Sequence, residues 1–521
     1  MQRALALIVS TLLLAPLLAG CLLGESETPR TRRVLGDGRP AIPQQVERGT
    51  KQNLYPPKKI TDRLTQDHTI GPSAPPAARP APGARRRLAA RLPVTEDRLP
   101  QQPGPTSPLA PQADLPPLSE PDRTGLALGQ FYQALEGLES GRRRHRITIL
   151  HLGDSHIAAD RFSGDLRRLF QKRFGNAGRG MVMPGDPFGY SHSRGVRTSN
   201  EGEWKIANSQ RGHPGTYGLT GVSLTSSDPE AALTLQRAGR GFGQAEVTLL
   251  TGPGMGRALV ETGRERNTVN LKAARTGLRR VVFKRPSRLL RVRPAGEDPV
   301  TLLSWAVGNN QPGIRYINLG IPGASLLTTR KWNRALVANQ IRHLKPDLII
   351  LGYGTNEGFN DKLDLAAYQR YYQQFVARLR GAAPRASFLI IGPPDGARLP
   401  RFADRQGAGC KPLSRREIST YAADISAGDE RLARWHAPPK LDAVRNSLKR
   451  IASRVRAKFW DWSKVMGKNC GIHRWANASP KKAVRDHVHL TSLGAKTSAQ
   501  LLFKDLMNQY VSHKRLVRRS Q

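Results

Sequence analysis

Residues 147–156 read Ile147-Thr148-Ile149-Leu150-His151-Leu152-Gly153-Asp154-Ser155-His156. An apolar, β-branched run enters a Gly-Asp-Ser turn, and Phe162, Leu166, Leu169 and Phe170 then follow at helical spacing. Strand, turn and helix in that order predict one limb of a βαβ unit, with the serine at the carboxyl end of a parallel strand. Open α/β sheets hold their ligands at that end. The same rhythm recurs, with strands predicted over 314–319, 348–351, 388–391 and 459–462. Amphipathic patterns lie between them, such as Leu365/Tyr368/Tyr372/Phe375/Leu379 and Leu441/Val444/Leu448/Ile451/Val455. Another helical pattern, Leu128/Phe131/Leu135/Leu138, precedes the first strand. The fold class predicted is α/β, a parallel sheet covered by helices on both faces.

From 202 to 310 the rhythm stops. Short apolar runs at 245–251, 257–262, 281–284, 289–292 and 301–307 are punctuated by glycine and proline, and helical spacing is nearly absent. This stretch predicts an all-β sandwich inserted into the α/β domain, whose two parts are then 124–201 and 311–512. Residues 513–521 form a basic tail. Within the insert, Trp204, Tyr217, Phe242, Phe283 and Trp305 are candidates for stacking on sugar rings but are too few in visible clusters to define a binding face, and Trp460 and Trp462 on the last strand are read as core packing ahead of a sugar site.

Upstream, the chain is of another kind. Nineteen prolines fall between Pro29 and Pro121, too many for a core to form, so 21–123 is expected to be a disordered, extended linker. Arg3 and the apolar run from Ala4 to Leu18 have the length of a secretory signal rather than of a membrane span. That run ends in Leu18-Ala19-Gly20-Cys21, which resembles the lipobox of bacterial lipoproteins, with Cys21 as the lipidated residue and 1–20 removed. The chain is thus expected to be an exported lipoprotein facing the periplasm, held to a membrane by its N-terminal lipid. Leu22 after the cysteine, in place of Asp, resembles lipoproteins sent to the outer membrane, so that membrane is expected ahead of the inner one. A net charge of +43 invites nucleic acid as a partner, but export argues against it. The charge then serves anionic envelope material or a solvated arginine-rich surface. Cys410 and Cys470 are the remaining cysteines, an even pair for an oxidising compartment: either a disulfide or two free thiols.

Four segments carry residues suited to chemistry: Gly153-Asp154-Ser155, Asn318-Leu319-Gly320-Ile321-Pro322-Gly323, Gly352-Tyr353-Gly354-Thr355-Asn356-Glu357 and Asp486-His487-Val488-His489. A serine hydroxyl attacks an ester only when an imidazole takes its proton, and a carboxylate holds that imidazole in one tautomer. Asp486 and His489, three residues apart, can face each other across a turn. The backbone N–H groups of Ser155 and Gly323 and the amide of Asn356 are candidate donors to an oxyanion. No metal-ligand spacing is apparent, and neither a metal nor a cofactor is expected. His151, His156 and His487 are read as packing or surface residues, and Asp154 as a cap for its turn.

These segments resemble the signature blocks of the SGNH subgroup of GDSL hydrolases. The resemblance implies a three-layer, flavodoxin-like domain in which Ser155 is the nucleophile, Gly323 and Asn356 the oxyanion donors, and Asp486 and His489 the Asp-x-x-His pair. His156 stands where the family has leucine. That departure, with Arg173-Phe174-Gly175, Met183-Pro184-Gly185 and Phe459-Trp460-Asp461-Trp462, resembles a branch of Gram-negative peptidoglycan O-acetylesterases that carry a carbohydrate-binding-like sandwich between the first two blocks. The activity implied is removal of O-acetyl groups from an envelope glycan. Acetyl transfer to a sugar, lipase or thioesterase activity, and a non-catalytic envelope-binding lipoprotein stay open beside it.

Overall fold

A computed structural model of the chain describes residues 127–188, 193–237, 242–263, 265–284 and 288–519. The expected signal segment, Cys21 and the proline-rich linker lie outside the described residues. Among those described, six parallel strands form the central sheet: β1 (Ile147–Gly153), β2 (Asn176–Gly178), β3 (Ile314–Gly320), β4 (Leu348–Gly352), β5 (Ser387–Gly392) and β6 (Lys458–Asp461). Their order is β6-β5-β4-β1-β3-β2. The chain therefore runs outward from β1 on one side and returns to the other, which leaves a crevice at the carboxyl ends beside β1.

Alternate residues of each strand divide between two cores. Ile147 and Ile149 of β1, with Tyr316, Ile350 and Leu389, pack under α1 (Gly129–Glu139), α3 (Phe162–Phe174) and α8 (Ser492–Arg519). Leu150 and Leu152, with Ile317, Leu319, Ile349 and Phe388, pack under α4 (Arg334–Leu344), α6 (Leu365–Ala382) and α7 (Leu441–Arg454). This accounts for strands that read as continuous apolar runs, since every residue of β1 is buried. The short α2 (Ser155–Ala158) sits directly on the strand ends, where Gly320, Gly153 and Gly352 lie level across β3, β1 and β4. A Cβ at Gly320 would stand 2.2 Å from the backbone nitrogen of Ala158, so a side chain there would lift α2 and Ser155 away from the sheet.

The insert is two antiparallel sheets. One runs Glu265–Asn270, Arg257–Thr262, Leu289–Pro294, Ala232–Arg237, Val196–Glu201; the other runs Gly277–Phe283, Gln244–Thr251, Val300–Gly308, Val222–Ser226, Lys205–Asn208. Its strands begin ahead of residue 202. Val196–Glu201 pairs with Ala232–Arg237, and Gly180–Val182 with Val300–Gly308, so the sandwich draws on chain that the sequence reading gave to the α/β domain. Its aromatic residues are core. Trp204, Tyr217, Phe242, Phe283 and Trp305 are all at most 9% exposed, which rules them out as an open stacking face. Trp462 opens a short helix, Trp462–Val465, rather than ending β6, and its ring lies on Phe162 with centroids 4.3 Å apart. Trp460 is buried beside it.

Insert and sheet share one of the two cores and several hydrogen bonds. Asn333 N–H donates to Tyr217 O (2.9 Å), Leu219 N–H to Gln340 Oε1 (2.7 Å) and Trp332 Nε1–H to Ser209 Oγ (3.1 Å). Cys410 and Cys470 are joined as a disulfide, their Cα atoms 5.9 Å apart. Closing a loop of about 60 residues contributes about 4 kcal/mol in the chain-entropy description. Urea unfolding of a Cys410→Ser/Cys470→Ser variant should accordingly show a loss of about that size, whereas an unchanged midpoint would mean the crosslink constrains nothing that the fold does not already hold.

Candidate active site

Asp154 caps the turn after β1. Its backbone is extended, and its Oδ1 accepts the His156 N–H at 3.0 Å, which starts α2 at Ser155. Neither the N–H of Ser155 nor that of Gly323 has an acceptor among the described residues. Gly323 adopts φ +70°, a conformation that costs a side-chain-bearing residue strain, and it leaves its N–H outside the local turn. Asn356, on the four-residue helix Thr355–Gly358 after β4, donates from Nδ2 to Ala324 O at 2.9 Å. The amide is thus anchored to the neighbouring residue of the Gly323 loop with one N–H left over.

The fourth segment arrives from the far end of the chain. Asp486 Oδ1 accepts the N–H groups of Val488 and His489, each at 2.9 Å, and Oδ2 accepts His489 Nδ1–H at 2.7 Å. With Nδ1 protonated, Nε2 of His489 offers its lone pair to Ser155 Oγ, 3.0 Å away. Burial by itself would raise the Asp486 pKa, but the His489 ring and the two backbone donors outweigh it and bring it to about 2. The carboxylate thus stays charged, and keeps its hold on the ring, until pH falls below the ordinary aspartate range toward 2.

The loop is supported from behind. His487, at φ +57°, stacks on Trp435 at 3.6 Å between centroids, and its carbonyl accepts Ala397 N–H at 2.9 Å. Its Nδ1–H donates to Arg485 O and its Nε2 accepts from His473 Nδ1, an arrangement that suits neutral rings. Burial accordingly lowers the His487 pKa to about 4. Arg161 donates to Leu490 O at 3.0 Å on the other side. The sequence-predicted Ser155, Asp486 and His489 therefore form one hydrogen-bonded chain. Gly323 and Asn356 lie on adjoining loops that leave β3 and β4, the two strands flanking β1.

Three further residues bear on the site in ways the sequence does not signal. His156 is neither surface nor plain packing: its side chain is 4% exposed, and its ring lies against that of His489, centroids 5.5 Å apart. Gln210, from the insert, has its amide nitrogen 3.1 Å from where a Cβ on Gly323 would be, so the sandwich contributes a polar group beside a candidate oxyanion donor. No sequence signal marked it. A cavity of about 280 Å³ also opens between the sheet and the insert, lined by Ala158, Asn318 and Gly320 on one side and Met183, Arg194 and Thr198 on the other. It lies next to α2, but none of Ser155, Asp486 and His489 lines it.

Glu357 is the third. It is buried, accepts Leu326 N–H on Oε1 at 2.6 Å, and has no hydrogen-bond partner for Oε2 among the described residues. Burial raises its pKa to about 7, against the pull of backbone hydrogen bonds.

The GDSL-like lipase/acylhydrolase family model matches residues 296–497, which hold Gly323, Asn356, Asp486 and His489 but leave Ser155 outside, across the insert. Among curated proteins, none matches the sequence. A solved peptidoglycan O-acetylesterase structure is similar at 24% identity and a TM-score of 0.59, over 74% of this chain and 96% of that one. This similarity shows a shared fold. A family two carbohydrate esterase from Cellvibrio japonicus (14% identity, TM-score 0.22, 61% of this chain and 99% of that one) and an acetyl xylan esterase, AlAXEase (16%, 0.24, 37% and 81%), are more distant and carry no weight for the fold.

The Glu357 carboxyl yields a sign-specific prediction. Its folded pKa lies above the unfolded value, so its ionisation opposes folding increasingly from about pH 4.5 up to about 7. Glu357→Gln keeps the acceptor for Leu326 and should stabilise the fold by roughly 2–3 kcal/mol at pH 8, the gain vanishing near pH 4.5. Denaturant titrations at the two pH values measure it; a gain that is equal at both, or a loss at pH 8, would contradict the burial account.

Proposed function

We propose that this chain, a carboxylic ester hydrolase whose residues 296–497 match the GDSL-like lipase/acylhydrolase family model, removes O-acetyl groups from an envelope glycan, peptidoglycan being the substrate. The observation that carries the reading is the unbroken sequence of contacts from Asp486 through His489 to Ser155, at 2.7 and 3.0 Å.

In this reading Ser155 Oγ attacks the acetyl carbonyl carbon as His489 Nε2 takes its proton. The carbonyl π electrons move onto oxygen, and the oxyanion is met by the N–H groups of Ser155 and Gly323 and the free amide hydrogen of Asn356. Collapse breaks the bond to the sugar oxygen, which leaves with the proton from His489. Water gives a proton to the same imidazole as it attacks the acetyl-enzyme; the acyl carbon–Oγ bond then breaks, His489 returns the proton to Ser155 Oγ, and acetic acid leaves and ionises to acetate. Asp486 keeps Nε2 unprotonated at the start of each half-reaction and stabilises the imidazolium that forms.

The glycan part of the proposal draws on the similarity to the peptidoglycan O-acetylesterase, which extends over 96% of that protein, and on the sandwich reaching the site through Gln210. The envelope part draws on the lipobox-like Cys21 and the proline-rich stretch after it, in keeping with an exported, outer-membrane lipoprotein working at the end of a tether.

Acetate release from O-acetylated peptidoglycan, measured beside turnover of an activated acetyl ester, tests both levels. Ser155→Ala should abolish both activities, and Asn356→Ala should slow them about a hundred- to a thousand-fold. Wild-type rates in both variants would overturn the site. Hydrolysis of the activated ester with no acetate from peptidoglycan would overturn the substrate and leave the esterase.

A further inference from the structure

His156 presents both ring nitrogens to acceptors. Nδ1 lies 3.2 Å from Asp154 Oδ1, which already accepts the His156 backbone N–H, and Nε2 lies 3.1 Å from Val488 O. A carbonyl donates no hydrogen, so Nε2 must carry one. A carboxylate donates none either, so Nδ1 must carry the other. A neutral ring would set a lone pair against an acceptor oxygen at one of these contacts, inside a site where both side chains are at most 4% exposed. The same reasoning gives the opposite answer at His487 and His473, where donors and acceptors alternate.

We propose that His156 is a standing imidazolium and a positioning residue: it grips the Val488 carbonyl, fixes the His489 backbone and ring against Ser155, and keeps a positive charge beside the base. The proposal rests on the reading of His489 as that base. Val488 immediately precedes His489, and the His489 N–H is already held by Asp486, so the peptide entering His489 is clamped from both sides. Leucine, the residue the GDSL pattern has at this position, could make neither bond.

The charges around the ring agree with this assignment. Asp154 faces it from its own turn, Asp486 and His489 from the C-terminal loop, and the edge of Trp462 from the helix after β6. Beyond Asp154 stand His151, Tyr353 and Glu357, and Arg161 holds the Leu490 carbonyl. Burial opposes the cation, but Asp154, the Val488 carbonyl and Asp486 outweigh it and raise the His156 pKa above the ordinary value.

The decisive readout is the nitrogen NMR spectrum of the full chain with ¹⁵N-labelled histidine, His156 being assigned by its loss in a His156→Gln variant. At pH 8 both His156 nitrogens should be protonated while His487 is neutral. An unprotonated His156 nitrogen at pH 8 overturns the proposal. Kinetics on an activated acetyl ester separate the two parts of the role. His156→Leu should lower kcat about ten- to a hundred-fold with little change in KM, the cost of a base slightly out of place. His156→Gln, with an amide N–H for Val488, should recover most of that rate while the acid limb of kcat/KM moves up by about half a pH unit or more, because a cation has gone from beside His489. A Leu variant with wild-type kcat removes the positioning role, and a Gln variant with an unmoved acid limb removes the charge. The spectrum does not depend on turnover, so a failure of the esterase reading and a failure of this proposal are told apart.

Discussion

A hydrogen bond of 3.0 Å between Ser155 Oγ and His489 Nε2 joins residues 334 positions apart, and the rest of the architecture is arranged so that it can form. The serine is fixed by the strand end of β1, where three level glycines let α2 lie on the sheet. The imidazole is fixed by a loop with little regular structure of its own. That loop is held by the Asp486 carboxylate from within, by Trp435 under His487, and by the backbone contact with Ala397. Each hold is local and modest. Together they bring one lone pair to one hydroxyl, which is where proximity does most for a reaction of this type.

The insert is built into the candidate site rather than appended to it. It shares a core with one face of the parallel sheet, is bonded to the segment after Gly323 through Trp332, Asn333 and Gln340, and sets Gln210 beside Gly323. The surroundings of Gly323 are therefore built by both domains. The family match begins at residue 296, inside the insert, and most of the sandwich lies in sequence between Ser155 and the matched residues.

Much of this was legible in the sequence, for definite reasons. Strands buried on both faces read as unbroken apolar runs, and the helices between them keep a clear stripe, so β1, β3, β4 and β5 fall where periodicity puts them. The edge of the insert was not legible. Val196–Glu201 exposes most of its residues, and Gly180–Val182 is three residues long, so neither shows an apolar alternation. Trp462 looked like strand because aromatic alternation cannot distinguish a last strand residue from the first turn of a helix. The candidate triad could be found because its residue types are chemically distinctive. The second partner of His156 could not, because it is a backbone carbonyl 332 residues away, and a carbonyl has no letter in a sequence. Gln210 was hidden likewise: its place beside Gly323 comes from the docking of two domains.

The account stands on Ser155 being a hydroxyl activated by His489. Reaction of the full chain with an organophosphonate that captures activated serines, followed by peptide mass spectrometry, examines that directly. A single adduct on Ser155, formed much more slowly in a His489→Ala variant, is the predicted result. An adduct on another serine, or labelling of Ser155 at the same rate without the imidazole, would contradict it.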